Sequence, residues 1–197
     1  MIIRKMETSD LGAVVAIHKE AFEGFFLTRM GPRFLRAYYQ AVLDFDASIS
    51  LVAHDPESDR ALGFAVGFRD PQGFYALFGQ QRKRMLPAIL LAVVRDPGLV
   101  PQILRNMRRV EAQTQQPVDA VELSSIAVGA PGRGVGGALL EAFADKARSE
   151  GGHRLILTTD VDGNDSVRRF YEARGFILDG YEDRGERRMC RYTRSLG

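Results

Sequence analysis

The sequence predicts an α/β domain, and three observations predict it. Runs rich in β-branched and aromatic residues alternate with amphipathic helical segments along most of the chain. A glycine-rich turn, Pro131-Gly132-Arg133-Gly134-Val135-Gly136-Gly137, opens directly into a helical pattern beginning Ala138-Leu139-Leu140. Finally, 197 residues with 45% hydrophobic and 26% charged side chains supply one substantial core and ordinary globular usage. We read residues 1–197 as a single domain.

The elements follow in order. Ile2 to Met6 reads as a first strand, and Thr8-Ser9-Asp10 offers caps for a helix carrying Leu11, Val14, Val15, Ile17 and His18. From Ala21 to Met30 the aromatic residues Phe22, Phe25 and Phe26 are interrupted by Gly24. Gly31-Pro32 then starts a helix whose Phe34, Leu35, Tyr38, Tyr39, Val42 and Leu43 recur at helical spacing. Ser50 to His54 and Leu62 to Phe68 are strands joined across the turn residues Asp55 to Asp59. Between Pro71 and Gln116 we expect an inserted helical pair, Arg84 to Arg95 and Val100 to Val110, split by Asp96-Pro97-Gly98. Its stripe of Met85, Leu86, Ile89, Leu90, Val93 and Val94 calls for cover by one side of a cleft, a second subunit or a membrane surface. Gln113 to Pro117 is a polar linker within the same sheet. Val121 to Val128 forms a strand, Gly134 to Ser149 a helix, Leu155 to Thr159 a strand and Asp165 to Arg174 a helix. Phe176 to Leu178 and Arg188 to Tyr192 form a closing hairpin, with Tyr181 to Glu186 as its polar connection.

Composition narrows the function. A net charge of +2 does not call for nucleic acid, and one cysteine, Cys190, cannot form an intrachain disulfide. The start Met1-Ile2-Ile3-Arg4-Lys5 lacks the apolar core of a signal peptide, and Leu86 to Val94 is too short to span a bilayer. These readings lead us to expect a cytoplasmic protein. His18, His54 and His153 are scattered and make no metal spacing, so we expect no metal.

The glycine turn carries the chemistry. Without a Cβ, a glycine N–H can approach a ligand closely, and at a helix start the free N–H groups and the helix dipole hold a pyrophosphate. Gly132, Gly134 and Gly137 also satisfy a dinucleotide-binding spacing, with Asp160 placed to meet a ribose. Against that stand the gap after Val128 and the late position of the motif. No Gly-Lys-Ser/Thr follows, which excludes a Walker phosphate loop.

The order strand, glycine turn, helix, strand, Asn164, then Phe170-Tyr171-Glu172-Ala173-Arg174-Gly175-Phe176 resembles the GNAT superfamily of acyl-CoA N-acyltransferases. The resemblance is strong from about Val121 to Phe176 and departs at Pro131, where the family carries Gln or Arg. It implies a central mixed, mostly antiparallel sheet with flanking helices, the helical pair being inserted between the third and fourth strands. It also implies acetyl-CoA as cosubstrate: Ile126, Ala127 and Val128 along the pantetheine, Gly134, Val135, Gly136 and Gly137 at the pyrophosphate, Arg133 supplying charge. Asn164 either caps its helix or contacts the pantetheine amides. Tyr171 is the implied general acid for the departing thiolate, with packing under Gly175-Phe176 as the alternative. Glu122, which alternates with Ser124 on one face of its strand, is the candidate base, ahead of Asp119 and Asp160. Phe25 and Phe26 are candidate acceptor-binding residues. The implied reaction is acetyl transfer to a primary amine on a small molecule such as an amino sugar. The alternative is a non-catalytic acyl-CoA sensor.

Overall fold

The structure, a computed structural model, describes residues 1–80, 82–104, 119–184 and 187–197. Its centre is a seven-stranded sheet in the order β1-β2-β3-β4-β5-β7-β6. The strands are β1 (Ile2–Lys5), β2 (Ser48–Asp55), β3 (Arg60–Phe68), β4 (Ala120–Val128), β5 (Arg154–Asp160), β6 (Ile177–Arg184) and β7 (Arg187–Ser195). Every neighbouring pair is antiparallel except β4 and β5. That parallel pair is short. It registers Ala120, Val121 and Glu122 against Arg154, Leu155 and Ile156, after which the strands part.

Both faces of the sheet are covered, as a sheet with two apolar faces requires. On one face α1 (Leu11–Ala21) and α3 (Pro32–Leu43), joined through the short α2 (Phe26–Arg29), bury Leu11, Val14, Leu35 and Tyr39 against Phe64, Val66 and Phe68. On the other, α6 (Val135–Ser149) and α7 (Asp165–Glu172) bury Leu139, Phe143, Ala144 and Tyr171 against Val121, Leu123, Leu155 and Tyr192. Gly63 and Gly67 let α6 lie flat on β3, since a Cβ on Gly67 would stand 1.9 Å from the Glu122 carbonyl oxygen and 2.5 Å from the Phe143 ring.

β4 carries one irregularity. Val66 faces Ser125 and Gly67 faces Leu123, so Ser124 is an extra residue in the ladder, a β-bulge. The strand therefore changes phase in its middle. Val121 and Leu123 before the bulge, and Ile126 and Val128 after it, all reach the α6 face.

The insertion differs from expectation. It begins with α4 (Pro71–Gln80), which the sequence reading passed over. Asp70 starts it by accepting the Gly73 N–H at 2.8 Å, with Pro71 in the first turn, and Phe74 packs inward. Next come α5 (Arg82–Arg95) and, after the break at residues 96–98, a helical stretch over 99–104. The expected continuation to Val110 and the linker from Gln113 lie outside the described residues. Only half of the α5 stripe is covered: Met85, Ile89 and Ala92 pack on Phe34 and Met30 of the α2–α3 region, whereas Leu86, Leu90 and Val94 stand exposed. Arg29 fastens the insertion to the body through an ion pair with Asp96 at 2.6 Å and a hydrogen bond to Gln102 at 3.1 Å.

The closing hairpin is longer than expected. Tyr181 to Arg184, read as a polar connection, continue β6 as strand and pair with residues of β7 as far as Arg187. Alternating exposure along β6 explains this, because an edge strand over solvent needs no apolar run.

Candidate active site

Where β4 and β5 part, a cleft of about 940 Å³ opens. Beyond Glu122 the outer edge of β4 has no strand partner among the described residues, so its backbone groups face the cleft over Leu123 to Val128. The opposite wall is Leu157 to Asp160 of β5 with Asn164, Val167 and Tyr171 from the start and body of α7.

At the end of β4 the chain passes through the glycine turn. Gly132 and Gly134 have φ of 87° and 72°, left-handed values that disfavour any side chain, and Gly134 is the N-cap of α6. The first helical bond is Ala138 N–H to the Gly134 carbonyl, leaving the N–H groups of the first turn without intrahelical partners. Pro131 to Gly134 are exposed, Val135 is buried, and Gly136 and Gly137 are half-buried. Gly137 has a second use: the Arg174 guanidinium occupies the space of its Cβ, 2.8 Å away, and stacks 3.9 Å from the Phe170 ring.

Tyr171 lies at the centre of the β5–α7 wall. It is 6% exposed, packs on Phe170, Phe176 and Tyr192, and burial pushes its phenol pKa up, so it stays protonated across the working pH range. Asn164 donates to Thr159 Oγ1 at 2.6 Å and makes no side-chain cap, so of its two expected roles the capping one is not used. Its amide ties the head of α7 to β5.

The far end of the cleft is aromatic. Phe22, Phe25 and Phe26 come from the α1–α2 connection, Phe34 and Tyr38 from α3, Tyr75 and Phe78 from α4. The Arg187 side chain reaches across from β7. It pairs with Asp160, Nε to Oδ1 at 2.8 Å, and lies 4.2 Å from the Phe25 ring centre. Under this region sits His18, 3% exposed, sharing a 2.7 Å hydrogen bond through Nδ1 with the Tyr39 hydroxyl. Its Nε2 has no hydrogen-bond partner among the described residues, and desolvation lowers its pKa to about 4, so the ring is neutral.

Residues 105–176 match the sequence model of the acetyltransferase (GNAT) family. The match takes in β4, the glycine turn, α6, β5 and α7. The chain's fold is shared by a GNAT-family structure from Desulfovibrio desulfuricans, at 19% identity and a TM-score of 0.64, covering 100% of this chain and 99% of that one. A ribosomal-protein-alanine N-acetyltransferase from Brucella melitensis superposes with a TM-score of 0.63 at 20% identity over 99% of each chain. The yncA protein of Salmonella typhimurium, solved with its cofactor acetyl-CoA, gives 0.61 at 18% identity, covering 100% of this chain and 94% of that one. Among curated proteins none matches the sequence.

The cleft gathers most of the residues chosen from sequence. Ile126, Ala127, Val128, Asn164, Tyr171, Phe25 and Phe26 all line the one cleft, and the Gly134–Gly137 turn follows directly from its β4 wall. Arg133 is exposed in that turn. Glu122 is not on the cleft wall; it sits at the last paired position of β4, opposite Phe68, where its charge raises the pKa values of Tyr38 and Tyr75 after the larger effect of their burial. Asp160 is engaged by Arg187, and Asp119 pairs with Arg154 at 3.6 Å away from the cleft. Among the described residues no group of His, Cys, Asp or Glu could hold a metal, and no helix is long and apolar enough to cross a membrane.

Sequence reasoning missed a polar floor beneath the cleft. The Ser124 hydroxyl stands against the phenols of Tyr38 and Tyr75, and that of Ser125 against Tyr39, which in turn holds His18. The sequence signals for these are thin: Tyr38 and Tyr39 read as an apolar helical stripe, and His18 as one of three scattered histidines.

Proposed function

We propose that this protein moves the acetyl group of acetyl-CoA to a small primary amine by direct attack, with no covalent enzyme intermediate. The observation that carries the reading is the parting of β4 from β5, which leaves a strand edge beside Tyr171 and leads to a helix start capped by Gly134. The residues suit acetyl-CoA at three levels. The open edge over Ile126, Ala127 and Val128 offers backbone groups for the amides of the pantetheine. The first-turn N–H groups of Val135, Gly136 and Gly137 offer donors to the pyrophosphate, with Arg133 adding charge. Asn164 stands on the opposite wall.

In the reaction the neutral amine nitrogen attacks the thioester carbon; the C–N bond forms, the C–S bond breaks, and the amine gives up a proton. Tyr171, which burial keeps protonated, is the residue on the cleft wall that returns a proton to the sulfur. The amine proton leaves toward Glu122 through water, since Glu122 precedes the cleft-lining Leu123 and is not itself on the wall. Glu122 is thus a positioning and proton-accepting residue at one remove. An amino sugar, an acceptor suggested by the sequence, fits this scheme only as one small amine among several. A cytoplasmic location and a single domain belong to the same proposal.

The test pairs binding with turnover. CoA at a hundred times its dissociation constant stabilises the fold by about 2.7 kcal/mol, which for a chain of this length is a melting shift of roughly 5–10 °C. A shift with NAD and none with CoA overturns the reading. CoA binding without acetyl transfer to any amine assigns the domain to acyl-CoA sensing instead.

A further inference from the structure

The acceptor end of the cleft is unlike the CoA end in its chemistry, and the difference names a class of substrate. This inference rests on the acetyl-transfer reading above. Phe22, Phe25 and Phe26 form one side of it, Tyr75 and Phe78 another, and Tyr38 lies between. The first group is tilted into a run, His18 to Phe22 at 4.7 Å and Phe22 to Phe25 at 5.5 Å; Tyr38 meets Phe78 edge-on at 5.5 Å. Phe22, Phe26, Tyr75 and Phe78 are half-buried and Phe25 is 36% exposed, so ring surface is left over for a guest after the rings have packed on one another.

The polar groups at this end are few and mostly spoken for. Arg187 is held by Asp160 and by the Phe25 ring, and Arg184 by Glu182. His18 is neutral, and Ser124 faces the phenols of Tyr38 and Tyr75. Asp162, the other described carboxylate on the wall, is exposed on the loop beside Asn164. A sugar would leave its hydroxyls against ring faces, a desolvation cost that the rings do not offset. The contact of Arg187 with the Phe25 ring also joins the β7 wall to the α1–α2 connection.

We propose that the acceptor is an arylalkylamine, a primary amine on a short chain from an aromatic ring, with the ring among Phe22, Phe25, Phe26, Tyr75 and Phe78 and the nitrogen at the Ser124 end. Such a site also assists the chemistry. An amine entering an apolar, ring-lined space loses hydration of its charged form, which favours the neutral nucleophile the reaction needs.

The experiment is a panel with acetyl-CoA and the full-length chain: 2-phenylethylamine, tyramine, glucosamine, spermidine and a short peptide with a free alanine N-terminus. The expected result is a kcat/KM for 2-phenylethylamine at least about tenfold above those of glucosamine, spermidine and the peptide. Phe25→Ala should lower it by about tenfold, mainly through KM, while CoA affinity stays unchanged. Equal or better use of glucosamine, spermidine or the peptide overturns the inference while leaving acetyl transfer intact. A rate with acetyl-CoA exceeded by that with octanoyl-CoA also overturns it, assigning the rings to an acyl chain. No transfer to any amine refutes the acetyl-transfer reading itself.

Discussion

Replacing Gly136 by aspartate separates the anion-binding role of the glycine turn from its structural role, because the two respond with opposite sign. A Cβ at Gly136 meets nothing nearer than 3.7 Å, the Phe170 ring and the Val128 side chain, so the substitution fits. The position is the second of α6, where a carboxylate faces the positive end of the helix dipole. Gaining a better helix former and a favourable dipole contact raises the stability of the ligand-free protein by roughly 0.5–1 kcal/mol. A pyrophosphate bound at the same first turn meets the opposite force. A carboxylate about 5 Å from two phosphate charges, at an intermediate dielectric, repels them by roughly 3 kcal/mol, or about two orders of magnitude in Kd. The assay is a melting curve without ligand and a calorimetric titration with CoA, the latter repeated at raised salt, which should restore part of the loss. Gly136→Asn supplies the uncharged comparison and should bind CoA more tightly than the aspartate variant. CoA bound by Gly136→Asp with wild-type affinity would show that the pyrophosphate lies elsewhere. A Tm several degrees lower without ligand would instead refute the packing described around Phe170.

Three further outcomes are expected. Tyr171→Phe should lower kcat by about 10²–10⁴-fold with little change in CoA affinity, measured by steady-state rates and titration; full activity would make Tyr171 a packing residue. His18 sets a pH dependence: its folded pKa of about 4 lies below the unfolded value near 6.5, so below pH 6.5 the unfolded chain takes up a proton that the folded one refuses. Stability from this group is therefore complete above about pH 6.5 and falls with acidification by about 1.4 kcal/mol per pH unit down to about pH 4; denaturant titrations across that window should show a slope that His18→Gln flattens. Gly67→Ala should lower Tm by roughly 5 °C or more, because its Cβ would overlap the Glu122 carbonyl and the Phe143 ring and force β3 away from β4; a wild-type melt would contradict the close packing of α6 on β3.

What could be read from the sequence is what depends on neighbours along the chain. The glycine turn, the helix it opens, Asn164 and Tyr171 lie within one strand–helix–strand–helix run, and each element was found within a few residues of its place. α4 was missed although Asp70-Pro71 marks a helix start, because Gly73 and Gly79 weakened its pattern. The bulge at Ser124 has no signature at all: it exists only in the pairing with Val66 and Gly67. His18 was set aside for the same reason, since its partner Tyr39 is 21 residues away. Likewise, nothing local to Arg187 announces Asp160, 27 positions earlier, or the Phe25 ring on the far wall. That Glu122 does not line the cleft was not legible either, because alternation gives a side chain's direction and not where the neighbouring strand turns away.

The parting of β4 from β5 has a consequence for how the protein should behave in storage. Most sheets confine unpaired backbone to their two outer strands, where charge, short length or cover keeps other chains from adding on. Here, among the described residues, further unpaired backbone runs through the middle of the sheet, over Leu123 to Val128, and its sequence, Leu-Ser-Ser-Ile-Ala-Val, carries no charge and no proline to deter a passing strand. The defence is steric: the α1–α2 connection, α7 and Arg187 stand around the edge as the other walls of the cleft. A cosubstrate lying along that edge would satisfy the same donors and acceptors. Preparations stripped of CoA would then be the ones that self-associate on warming, and a substrate would act as the protein's own guard against aggregation.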